Sequence, residues 1–68
     1  MTMLELVCRD GLQGKKWGVK KVCKGWFYNN VLYLYTNIHG LPSGYTEYSG
    51  NAFWGSKAQA EKLMKLEQ

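Results

Sequence analysis

The stretch Trp17–Ile38, WGVKKVCKGWFYNNVLYLYTNI, constrains this chain most. Two strand-like runs, Lys24–Tyr28 and Val31–Thr36, flank the pair Asn29–Asn30. A two-residue type I′ turn needs positive φ at both central positions, which Asn tolerates better than any residue but Gly. The pattern predicts a β-hairpin closed by Asn29–Asn30. Counting outward, Tyr28 should face Val31, Phe27 Leu32, Trp26 Tyr33, Gly25 Leu34, Lys24 Tyr35 and Cys23 Thr36.

Side chains alternate between the faces of a strand, so these pairs separate into two surfaces. Phe27, Leu32, Leu34 and Cys23 form one, which reads as core. Tyr28, Trp26, Tyr33, Tyr35 and Lys24 form the other, with Val31 at its edge. The spacing of Trp17, Val19 and Val22 slips by one residue, and a bulge near Lys20–Lys21 would absorb the slip and turn the lysine pair outward; a bend at Gly25 is the alternative.

Around this hairpin the elements follow in order. Leu4, Leu6 and Cys8 alternate with Glu5 and Arg9, predicting a strand over residues 3–9 that reverses within Asp10–Lys16. The central strands are expected at 17–28 and 31–38. Asn37–Gly44, with Pro42, reads as a loop. Residues 45–48 form a short edge strand, and 52–54 a last short strand or an apolar strap. Ser56-Lys57-Ala58-Gln59 is a capping box, in which the serine oxygen accepts from the amide three residues on and the glutamine side chain reaches back. Strong helix formers then predict a helix over 57–67 with Ala60, Leu63 and Met64 inward and Leu66 at the margin. About 11 residues cannot persist as a helix alone in water, so this one must lie on the Phe27, Leu32 and Leu34 face. The expected architecture is α+β: residues 1–68 as one domain, a small antiparallel sheet of three to four strands with one C-terminal helix packed on one face. A small five-stranded barrel of the oligonucleotide-binding type is the second choice.

Charge is unevenly distributed. Residues 9–24 hold Arg9, Lys15, Lys16, Lys20, Lys21 and Lys24 against Asp10 alone, whereas beyond Gly25 three lysines offset three glutamates. A positive field of this kind either keeps a small protein in solution or attracts phosphates or an acidic protein groove. At 46% hydrophobic and 21% charged residues the chain has a folding composition, not a disordered one. Met1–Val7 lacks the basic start and apolar run of a signal peptide, and no apolar run approaches the roughly 18 residues that cross a bilayer. Cys8 and Cys23, without CxxC spacing or a histidine nearby, read as reduced thiols of a cytoplasmic protein.

Catalytic chemistry finds little support. His39 is the one histidine and stands between loop residues without a nucleophile or acid at relay spacing. The five acids are scattered, metal ligation would need Cys8, Cys23 and His39 to converge with a fourth ligand, and no glycine-rich phosphate loop is present. We therefore expect no enzyme, no cofactor and no metal. Binding fits better. Aromatic faces beside lysines suit single-stranded nucleic acid, and the same residue types anchor protein interfaces. The residues expected to carry binding are Lys20, Lys21, Lys24, Trp26, Tyr28, Tyr33 and Tyr35. The alternative use of these rings is a second small core under Asn37–Gly44 or Tyr45–Trp54.

The ending Phe53-x-x-Ser56-Lys57-x-x-Ala60-Glu61-x-Leu63, a strand handing over to a capped helix, resembles that of many small bacteriophage-encoded accessory proteins. The resemblance covers the last quarter of the chain. It implies a protein that binds and inhibits or redirects a host protein or complex, such as a defence system (anti-CRISPR and other anti-defence proteins belong here) or a nucleic-acid enzyme. These proteins share no active site, so no residue role carries over. Direct binding of single-stranded DNA or RNA is the alternative, and sequestration of a nucleotide ligand a third. An exposed edge at Met3–Arg9 or Tyr45–Tyr48 is where two copies would pair.

Overall fold

The computed structural model describes residues 2–27 and 29–67. Four strands, β1 (Thr2–Gly11), β2 (Gly14–Lys24), β3 (Asn29–Thr36) and β4 (Pro42–Thr46), form one antiparallel sheet in chain order. A single 3-10 turn at Ser49–Asn51 follows, then the helix α1 (Lys57–Glu67). The fold is α+β, with the helix packed mainly on β2 and also on β1.

α1 begins where the sequence places it. Ser56 Oγ accepts from the Gln59 amide at 3.2 Å, and Gln59 Oε1 accepts from the Ser56 amide at 3.2 Å. Ala60 and Leu63 are buried beneath it with Val19 and Leu34, and Leu4, Leu6, Trp17, Tyr45, Phe53 and Met64 pack around these four. Leu66 is 55% exposed.

The central hairpin departs from the expected register. Asn29 and Asn30 are strand residues opposite Lys24 and Cys23, and the pairing continues through Val22–Val31, Lys21–Leu32 and Lys20–Tyr33. The connection runs instead through Gly25, Trp26 and Phe27, so β2 ends four residues before the expected residue 28 and β3 runs 29–36 rather than 31–38. The expected pairing would have carried Val19 past the end of β3. The observed one keeps Val19 and Leu34 together under the helix, at 1% and 0% exposure. Phe27, expected in the core, is 95% exposed. Nor does β2 bulge at Lys20–Lys21, where its pairing is unbroken on both sides; the irregularity lies at Tyr35/Thr36. The two lysines consequently point to opposite faces of the sheet.

β4 starts earlier than the expected 45–48 and takes in Pro42–Gly44. The connection before it is held by Asn37, whose Oδ1 accepts from the His39 and Leu41 amides at 2.9 and 3.1 Å. Residues 52–54 act as the strap. Phe53 N–H donates to Leu34 O at 2.9 Å, while Trp17 and Gly55 exchange both backbone bonds at 2.7 and 2.9 Å. The segment therefore bridges the gap where β2 and β3 splay apart, placing Phe53 towards the helix and Trp54 on the opposite face.

Candidate binding surface

Alternation and register fix the face that α1 leaves uncovered. Met3, Val22 and Val31 form one cross-strand row, Glu5, Lys20, Tyr33 and Thr46 the next, and Val7, Gly18, Tyr35 and Gly44 lie beyond them. Arg9 and Lys16 stand opposite each other towards the β1–β2 turn.

Trp54 lies over Gly18. A side-chain carbon at position 18 would fall 2.7 Å from Phe53 O and 3.2 Å from the indole, so only glycine admits this contact without displacement. The indole N–H donates to Ser49 O at 2.7 Å. Arg9 places its guanidinium 4.2 Å from the Trp54 ring centroid, a cation–π geometry. The Tyr33 ring is tilted against the same indole, with centroids 6.2 Å apart. Arg9, Trp54 and Tyr33 thus form a thin polar-aromatic layer on the open face. Of the rings for which a second small core was the alternative use, Tyr33 packs under the Tyr45–Trp54 segment in this way, whereas Trp26 is 96% exposed.

The seven residues expected to bind do not form one patch. Lys20 and Tyr33 are on the open face, with the Lys20 ammonium 3.5 Å from Glu5. Tyr35 is on the same face, 36% exposed, its hydroxyl end close over Gly44. Lys24 is exposed at the end of β2. Lys21 is on the helix side, its ammonium 4.7 Å from the Tyr45 ring centroid. Trp26 is 96% exposed in the β2–β3 connection, beside Phe27. Tyr28 lies outside the described residues.

Sequence reasoning missed Arg9, Trp54 and Phe27. Arg9 was visible as the outward partner of Glu5 in the β1 alternation. Phe27 was misassigned with the register. Trp54 had no signal, because the strap that carries it has no periodicity.

An open cleft lies between the β1–β2 turn and the 3-10 turn, lined by Arg9, Asp10, Lys16, Gly50, Ala52 and Trp54 among others. Among the described residues no three or more His, Cys, Asp or Glu side chains converge in a metal-binding group. Cys8 and Cys23 are both free thiols. The Tyr45 phenol is pushed above its ordinary value, first by burial and then by the carboxylate of Glu67. Among the described residues no helix is long and apolar enough to cross a membrane. Compared with protein families, with curated proteins and with solved structures, the chain matches none.

Proposed function

We propose that this protein is a non-enzymatic binding protein that docks on a larger protein or complex and inhibits or redirects it, as small bacteriophage-encoded accessory proteins do. The observation that carries this reading is the tip of the β2–β3 hairpin, where Trp26 and Phe27 are 96% and 95% exposed. An aromatic ring removes roughly 150–250 Å² from water when covered, so each represents about 4–6 kcal/mol of unused burial before the costs of association. Trp is enriched at interface hot spots, and loops held on a rigid sheet are where recognition residues concentrate. Lys24 at the foot of the tip, with Lys20 and Lys21 in the same half of β2, would steer an acidic partner surface towards it.

The test is capture from nuclease-treated bacterial lysate with the tagged chain and with the double variant Trp26→Ala, Phe27→Ala. The parent should retain a stoichiometric protein that the variant loses while melting as the parent does. Equal retention by both, or no stoichiometric partner of the parent, would overturn the reading.

Direct binding of single-stranded nucleic acid is favoured by a different observation: Arg9 and Lys16 beside Trp54 in the open cleft pair cations with a ring. It predicts oligonucleotide binding at about 50 mM salt that weakens steeply as salt rises. Such binding, abolished by Arg9→Ala with Lys16→Ala and untouched at Trp26, would favour this second reading over the first.

A further inference from the structure

The sheet has two outer strands, and they differ. β4 is five residues long, begins with Pro42, which has no N–H to offer, and borders the irregularity at Tyr35/Thr36. A short strand, a proline and a bulge are the usual devices that keep a sheet edge from pairing with another chain. β1 carries none of them. It runs for ten residues in unbroken register with β2, from Thr2–Cys23 to Gly11–Gly14, without proline or lysine. Among the described residues, no backbone bond joins its outer side to another part of the chain.

We infer that β1 is the docking edge for a second copy of this chain, paired antiparallel about a two-fold axis at Val7. Such an axis stands perpendicular to the sheet, so opposed residues must share a face and only pairings centred on a residue are allowed. A centre at Glu5 sets Glu5 against itself, and a centre at Arg9 does the same with Arg9; like charges directly opposite are unfavourable. Centres at Leu6 and Cys8 leave both charges opposite uncharged residues. The centre at Val7 sets Glu5 opposite Arg9 of the second copy twice, with Leu6 opposite Cys8 and the pairing running from Met3 to Gly11. Glu5 and Arg9 both lie on the open face, so this pairing joins the two open faces and keeps both helices on the other side.

Sedimentation should give twice the 7.8 kDa chain mass. The register has its own readout. Directly opposed Cβ atoms lie about 4.5–5.5 Å apart and diagonal ones about 7–8 Å, and a disulfide needs roughly 3.5–4.5 Å. Val7→Cys, in a chain carrying Cys8→Ser and Cys23→Ser, should therefore cross-link on mild oxidation, whereas native Cys8 with Cys23→Ser should not. Arg9→Glu should weaken association about tenfold or more, and Glu5→Arg with Arg9→Glu should restore it. Arg9 also rests on Trp54, so if its variants unfold, the Val7→Cys cross-link decides alone. A monomer at every attainable concentration, or bridging through Cys8 and not through Val7→Cys, would overturn the inference.

Discussion

Tyr45 shows how a single side chain ties the two layers of the fold together. It sits on β4 opposite Leu34, packs against the core, and lies beneath the Lys21 ammonium. Burial first, and then the charge of Glu67 in the last turn of α1, hold its phenol above the ordinary value of about 10. The sign of the linkage follows. The folded protein keeps the Tyr45 proton to higher pH than the unfolded chain does, so this contribution to stability is complete below about pH 10 and is lost as pH rises through the raised folded value. The parent should lose stability above pH 10 more steeply than Tyr45→Phe, which keeps the ring and removes the titrating group. Urea midpoints of the two proteins from pH 8 to about 11 check this. Parallel curves would mean that Tyr45 does not resist ionisation.

Among the elements, α1 and the central hairpin were unequally legible, and the reason is physical. The helix start is chemistry at fixed spacing, and both side-chain bonds of the capping box are made. Ser56→Ala removes the oxygen that accepts from the Gln59 amide. It should cost about 1 kcal/mol, read as a lower urea midpoint with an unchanged slope, whereas Ser56→Asp should be nearly neutral. The hairpin start is a choice among turns, and Asn29–Asn30 competed with the longer connection through Trp26 and Phe27. Local turn preference lost to the joint burial of Val19 and Leu34 and to the pairing of β2 with β1. Leu32, expected opposite Phe27, stands opposite Lys21. That displacement is six positions, an even number, so residues within both strands kept their faces while their partners changed. Tyr33 and Tyr35 are on the open face for that reason, despite the wrong register. Phe27 and Trp26 had been counted as strand residues, and once the strand ended at Lys24 the face assignment no longer applied to them.

At the scale of the whole molecule, the α+β architecture was readable because alternation, turn residues and helix formers agree along the chain. The strap over residues 52–54 was one of two readings of the sequence, but its attachment was not legible, because Phe53 and Gly55 each hold the sheet through isolated backbone bonds that leave no pattern. What results is a thin core. Val19, Leu34, Ala60 and Leu63 are the buried hydrophobic residues among those described, and two of the four belong to a helix of 11 residues that cannot persist without the sheet. Sheet and helix should therefore be lost together. Leu63→Asp tests this coupling. It removes a side chain worth about 2–5 kcal/mol at a buried site and puts a carboxylate there, against a total stability of roughly 3–10 kcal/mol for a chain of this size. The variant should show no cooperative melt, with helix and strand signals in the far-ultraviolet and the tryptophan signals in the near-ultraviolet all lost at once. Leu66→Asp, three residues on and 55% exposed, is the control and should stay within about 0.5 kcal/mol of the parent. A Leu63→Asp protein that melts cooperatively near the parent's temperature would mean that α1 is not what closes the core.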